Sequence, residues 1–407
     1  MVRPHLVKGL TVPCRRTDLT ECPDPRGAQD PGFPDSGLRS RTPLVDFARS
    51  LLRGAATRPI EGGLRLATQA AAKIASMSDS PSRLPTVVFS SVVRSTKQSE
   101  NHGGVYLLDL ETERFEQKIA WDDPTISLEG RGGDRGLRGI AFHDGLMYLA
   151  ASDEIFVYDR HFQLQRSFKN RYLKHCHEIW IAGNTLFATS TGFDSVLAYD
   201  LLTSRFERGY CLRFPKVFRG RRSRKLHLRP RPIFRIFDPE SGSGPAPGDT
   251  CHINSVCHED GTIYVCGAQL GNVWAITGLR LRRYARVPYG SHNSRPFRGG
   301  VIMNHTATDR IAVLDLRGRE LESFPLRTYD ESQLQNGELS KDLARQAFGR
   351  GLALPNENVV VGGSSPATIT AYQFDPPRTL KSVNVSIDIR NAVHGLEIWP
   401  FDDAPVG

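Results

Sequence analysis

The segment His177–Asp200, HEIWIAGNTLFATSTGFDSVLAYD, decides the fold. An apolar run opens at Ile179, Ala182-Gly183-Asn184 is a turn, and Thr185–Ser190 alternates. Phe193-Asp194-Ser195 turns again, and Val196–Asp200 alternates up to a polar break. Short period-two runs bounded by Gly, Asn and Asp read as consecutive antiparallel strands.

The pattern recurs. An earlier copy runs Arg138-Gly139-Ile140, His143-Asp144-Gly145, Met147–Ala151 and Glu154–Asp159. A later one runs Asn254-Ser255-Val256, Glu259-Asp260-Gly261, Ile263–Gly267 and Asn272–Ile276. Another runs Arg350-Gly351-Leu352, Pro355-Asn356-Glu357, Val359–Gly363 and Thr368–Phe374, and a looser copy runs from His292 through Val301-Ile302-Met303 to Arg310–Leu316. A repeat of roughly 40 residues made of short strands is the signature of a β-propeller blade. One blade cannot bury both its faces, so neighbours stack about an axis. The termini supply a sixth copy in two pieces. His394–Trp399 reads as a first strand with nothing after it, while Thr86–Val93, Gly104–Leu110 and Arg114–Ala120 read as the other three. The expected fold is an all-β, six-bladed propeller over 85–403, closed by pairing the last strand with the first ones, which leaves no open edge.

The rest of the chain is organised around that ring. Met1–Thr42 is rich in Pro, Gly, Arg and Asp without periodicity and is expected to be disordered. Leu44–Arg53 and Gly62–Ala75 carry weak helical patterning, so 1–84 is read as an extension. The composition change before Ser78 suggests Met77 as the start of the protein. Trp121–Gly136 is a polar, Gly-rich connector. Two insertions stand out: 204–250, with ten cations between Arg213 and Arg235, and 328–347, whose Ser332–Phe348 part has the pattern of an amphipathic helix interrupted by Gly337. The basic insertion joins two blades and is expected at the mouth of the axial funnel, where its charge would gather anions.

Composition narrows the setting. No apolar run approaches the roughly 20 residues that span a bilayer. The seven cysteines, Cys14, Cys22, Cys176, Cys211, Cys251, Cys257 and Cys266, lack metal-type spacing, which points to buried free thiols in a reducing cytoplasm. A net charge of +9 favours anionic partners. P-loop, dinucleotide-binding and nucleophile-elbow motifs are absent.

In a propeller the starts of the first strands meet at the axis. The residues two before each apolar anchor are Arg138, His177, Asn254, Arg350 and His394, with His292 at the looser match and His252 two residues before Asn254. Two chemistries fit such a polar ring. His177, His252, His292 and His394 could ligate a divalent metal ion through neutral imidazoles, with His177 and His394 as acid–base groups of a metal-assisted lyase or hydrolase. Glu178 or Glu397 could orient them or act as a base. Alternatively, Arg138, Asn254 and Arg350 could hold a small anionic or polar molecule. A non-catalytic platform for a protein partner is the competing reading. Nucleic-acid or anionic-surface binding through the 213–235 loop is a third, disfavoured by sparse aromatic residues and no recognisable module. Cys176 beside His177 suggests a thiol–imidazole pair, but neighbours on a strand point to opposite faces.

CHEIWIAGNTLFATSTGFDSVLAYD from Cys176, CHINSV from Cys251, SHNSRPF from Ser291 with RIAVLDL from Arg310, and FGRGLALPNENVVVGG from Phe348 resemble a bacterial family of six-bladed propeller proteins over roughly 85–400. The chain is more distantly similar to gluconolactonase-like and streptogramin-lyase-like propellers, which use axial metal sites. Their acidic ligand pattern is not matched here. The resemblance implies the fold and carries no activity with it.

Overall fold

The computed structural model describes residues 83–94, 96, 100–122, 136–214 and 231–402. The alternating segments form strands grouped in six antiparallel sheets. Blade 1 contains β1 (Thr86–Val93), β2 (Gly103–Asp109) and β3 (Phe115–Ala120). Blade 2 is β4 (Ile140–His143), β5 (Leu146–Ala151), β6 (Glu154–Asp159) and β7 (Leu164–Lys169). Blade 3 is β8 (Ile179–Ala182), β9 (Thr185–Ser190), β10 (Ser195–Asp200), β11 (Arg205–Arg213) and β12 (Ile233–Phe237). Blade 4 is β13 (Ile253–Glu259), β14 (Thr262–Gly267), β15 (Asn272–Thr277) and β16 (Arg280–Arg286). Blade 5 is β17 (Ser291–Phe297), β18 (Gly300–His305), β19 (Arg310–Leu314) and β20 (Glu320–Pro325). Blade 6 is β21 (Arg350–Asn356), β22 (Val359–Ser364), β23 (Thr368–Gln373) and β24 (Arg378–Asn384), and β25 (Asn391–Ile398) returns to blade 1.

The core lies between blades. Six apolar clusters each join two neighbouring blades, so the packing runs around the full circle. Middle strands such as β5 and β22 are buried almost throughout, while the outer β3 and β7 are largely exposed. This explains the near-continuous apolar character of the middle strands, since both their faces are covered.

Closure takes the expected form. β25 pairs antiparallel with β1, from Val87 opposite Ile398 to Val93 opposite Asn391. Val393 and Leu396 of β25 pack with Val87, Phe89 and Leu108 of blade 1 and with Val361 and Ile369 of blade 6.

Two local expectations are overturned. Ser332–Phe348 is not a helix. A single 3-10 turn, Glu331–Gln333, is followed by separate turns. Asn336 and Ala347 take left-handed backbone angles, the Gln335 N–H donates to the Ile387 carbonyl and that of Ala347 to Ser365, so tertiary partners replace helical ones. The basic insertion also differs. Its described part adds β12 as a fifth strand on the outer side of blade 3, paired with β11 from Gly209 opposite Phe237 to Arg213 opposite Ile233. Arg213 and Arg235 therefore lie on the outside of a blade, and Arg231 donates to the Leu281 carbonyl of blade 4. The expectations for 1–82, for 123–135 and for 215–230 lie outside the described residues.

Leu396, 3% exposed, sits in the cluster that closes the ring. Leu396→Ala is expected to lower unfolding stability by about 2–5 kcal/mol in urea titrations. Removing 391–407 strips β25 from β1 and is expected to give aggregated protein by size exclusion. A monodisperse, cooperatively folding truncation would refute this account of closure.

Candidate functional site

The inner strands β4, β8, β13, β17, β21 and β25 converge on the axis, and small residues let them do so. A Cβ on Gly139 would come within 2.7 Å of the Ile179 nitrogen, and one on Gly395 would overlap the Arg138 carbonyl oxygen. Arg138 and His394 each precede such a glycine, so their side chains are held where backbones nearly touch. Four inner strands also carry one extra residue at this level. The register slips at Ile253/Ser255 in β13, His292/Arg295 in β17, Arg350/Leu352 in β21, and opposite Phe89/Ser91 in β25. Such bulges re-aim side chains. His252 and Asn293 hold left-handed backbone angles beside them, with φ of 50° and 51°. In blade 3 the Thr189 hydroxyl accepts from the backbone N–H of both His177 and Glu178 at 2.9 Å. His177 and Glu178 then line one cavity, although strand alternation would have separated them.

The first layer of the site is cationic and imidazole-rich. Arg138 Nη1 stands 3.0 Å from His177 Nδ1 and 3.2 Å from Nε2, and Arg350 Nη1 stands 3.3 Å from the same Nδ1. The His177 ring lies 5.3 Å from that of His252 and 6.2 Å from that of His394. His292 Nδ1 donates to the Gly290 carbonyl, 3.1 Å away. The Nε2 atoms of His292 and His394 are buried with no hydrogen-bond partner among the described residues. Burial, Arg138, His252, Arg350 and His394 hold His177 well below the usual histidine range. Burial followed by Arg350 does the same to His292, and burial followed by Arg138, Arg350 and Arg94 to His394. All three rings are therefore neutral at pH 7.

Asn254 is bonded to its neighbours. Its Nδ2 donates to the Ser291 carbonyl at 3.1 Å and its Oδ1 accepts from Ser255, which ties blade 4 to blade 5. His252 reaches the ring of imidazoles instead. It is positioned by Asp249, 2.9 Å from Nδ1, and by buried Asp194, which accepts from the N–H groups of Thr250 and Cys251 at 2.8 Å each. Arg213 closes on the same Asp194 carboxylate at 3.0 Å. Cys176 is not a nucleophile: burial pushes its thiol up to about 12.

Sequence reasoning missed two members of the first layer. Arg94, at the end of β1, places its guanidinium 4.5 Å from the centre of the Phe348 ring, and Arg350 stacks at 4.8 Å on that ring. Arg345 approaches it at 5.0 Å but is balanced by Asp309 at 2.5 Å. Phe348 precedes Arg350 by two residues in FGRG, the one signal that could have drawn it in.

A second layer lies beside the first. Glu178 accepts from Asn293 Nδ2 at 3.1 Å and from the Val256 N–H at 3.2 Å. Arg295 donates to the Leu352 carbonyl, and its charge acts on both Glu178 and Glu397. Glu178, Asn293 and Glu397 share with His177 and His394 a cavity of about 10 Å³ measured to water centres. That is room for one water-sized group.

The donor set does not suit a metal. Both guanidinium groups donate toward the His177 Nδ1 lone pair, and like charge stands where a cation would have to sit. Among the described residues no group of three or more His, Cys, Asp or Glu is arranged to hold one. The expected four-histidine centre at His177, His252, His292 and His394 is thus replaced by imidazoles interleaved with arginines.

Burial pushes the Glu178 carboxyl up to about 7 against Arg295, Asn293 and Val256, and likewise Glu397 to about 7 with Arg295 opposing. Between the ordinary 4.5 and about 7 the folded protein holds protons the unfolded chain has released, so stability falls as pH rises through that window. The buried imidazoles act the other way, and stability falls as pH drops below 6.5. Glu397→Gln removes part of the first effect and none of the second. Its Tm relative to wild type is expected to be a few degrees more favourable at pH 8 than at pH 5. An offset that does not vary with pH would contradict the burial of this carboxyl.

No protein-family model matches the chain, and no curated protein does. Similar solved structures include the computationally designed Ika8 protein, at 12% identity and a TM-score of 0.40 over 75% of this chain and 90% of that one. A streptogramin B lyase is similar at 11% identity and a TM-score of 0.34 over 58% and 68%. Neither likeness bears on the chemistry of the site.

Proposed function

We propose that this propeller binds a small anion, a carboxylate or phosphate, in its axial channel. The observation that carries the reading is the meeting of Arg138 and Arg350 at His177, with Arg94 close enough to depress the neighbouring imidazoles. Guanidinium groups present planar pairs of N–H donors that match carboxylate and phosphate oxygens. Neutral His292, with a buried Nε2 lacking a partner, can take up a proton and donate once an anion is present. Phe348 supports two of the guanidinium faces.

A metal-assisted lyase or hydrolase receives less support, because the one acceptor nitrogen of neutral His177 is engaged by cations. Among the described residues no helix is long and apolar enough to cross a membrane. Five described cysteines are buried and free, which fits a reducing, cytoplasmic setting. The motif resemblance to bacterial six-bladed propellers agrees with the fold and leaves the ligand to the site.

Calorimetric titration with inorganic phosphate and with acetate tests the proposal. Wild type is expected to bind at least one of them, and Arg350→Gln to weaken that binding about 10- to 100-fold, the loss of a charge-assisted pair. Arg350→Lys keeps the charge but loses the fork, and is expected to fall between. Absence of anion binding by folded wild type, or stoichiometric zinc binding in its place, would overturn the reading; a scaffold propeller would show neither.

A further inference from the structure

The anion reading leaves the second layer unused, and that layer has its own chemistry. Resting on that reading, we infer that the natural ligand is an anion bearing a hydroxyl group, with the anionic end on Arg138 and Arg350 and the hydroxyl in the cavity between Glu178, Glu397 and Asn293.

Continuity is the first argument. His177 and His394 of the first layer line the same cavity as Glu178, Asn293 and Glu397, so one small molecule touches both layers. Size is the second. About 10 Å³ is room for a single oxygen-sized group. His394 gives the third. It is 5% exposed, lines this cavity, and its Nε2 has no partner among the described residues, so a hydrogen-bonding group is missing there.

Charge decides between a hydroxyl and an ammonium group. Two carboxyls that each titrate near 7 carry about one negative charge between them at neutral pH, and Arg295 offsets it. The layer is close to neutral overall, so it favours neither a second anion nor a cation. A hydroxyl donates once and accepts twice, which suits an ionised carboxylate as acceptor with a protonated carboxyl and the Nε2–H tautomer of neutral His394 as donors. The Asn293 carbonyl oxygen is already taken by the Gly351 N–H and Asn304, each at 3.1 Å, which leaves the carboxyls and His394 as the partners.

Matched probes that differ by one hydroxyl test this. Glycolate is compared with acetate, and 2-hydroxyethyl phosphate with ethyl phosphate, by calorimetry at pH 7. The carboxylate and phosphate arms separate the two sources of anion. In the arm that binds, the hydroxylated probe is expected to bind about 10- to 100-fold more tightly. Glu397→Met, which fills the cavity with an apolar side chain, is expected to bring that ratio close to one, and Glu178→Gln to reduce it. A general change in anion affinity cancels from the ratio. Binding of both members of a pair with equal affinity by wild type would overturn this inference while leaving the anion site standing. Binding of neither member in either arm would overturn the anion site itself. A ratio unchanged in folded Glu397→Met and Glu178→Gln would place the hydroxyl elsewhere and refute the assignment.

Discussion

The closeness of the inner strands at the axis governs this molecule. Six strand starts share a space so narrow that a methyl group at Gly139 or Gly395 would strike a neighbouring backbone. Side chains beside those glycines cannot spread sideways and must project along the channel. The same crowding accounts for the extra residue in β13, β17, β21 and β25, since a bulge lets a strand pass its neighbour without losing its ladder further out. Asp194 serves the same end from outside the channel. It collects the N–H groups of Thr250 and Cys251 and so fixes the approach of β13 that carries His252.

What fills the channel is not what stability would choose. The six interblade clusters are aliphatic and aromatic and already run around the circle. Arg138 is fully buried, Arg350 is 8% exposed and three neutral histidines stand beside them. Withdrawing guanidinium groups from water costs several kcal/mol each before their interactions are counted, and apolar replacements of similar volume are often neutral or stabilising. A chain selected for folding alone would place leucine and valine here. Buried imidazoles with an open nitrogen, as at His292 and His394, are a further expense that folding does not explain.

The architecture was legible because period-two alternation and turn residues are local signals. Val359–Gly363 and Thr368–Phe374 announce their strands without reference to anything distant. Closure was legible as well, since His394–Trp399 had no partner in its own neighbourhood. The ring residues Arg138, His177, His292, Arg350 and His394 followed from repeat alignment, which is a statement about equivalent positions in equivalent blades. Alignment failed where the blades are not equivalent. The extra residue in β13 put His252 rather than Asn254 among the imidazoles, and the departure from alternation at His177-Glu178 brought a carboxyl into the channel that a regular strand would have turned away. Arg94 and Phe348 lie outside the repeated core of their blades, so no periodic argument could reach them. The insertion 328–347 misled because backbone N–H groups at Gln335 and Ala347 bond to the distant Ile387 and Ser365 carbonyls rather than within a helix.

The order of charge along the axis has a consequence for the kind of ligand the channel admits. Glu397 and Arg295 follow His394 and His292 by three residues on their strands, which places them about 7–10 Å further along. A cation held between the two glutamates would still face Arg295 beside them. On the proposed reading an anion sits at the guanidinium level. Its arrival also reverses the field on the imidazoles. His177, His292 and His394 are neutral because burial and the arginines together oppose their charging. On that reading a bound carboxylate or phosphate offsets the second of those causes and raises the affinity of the ring for a proton, while burial still opposes it.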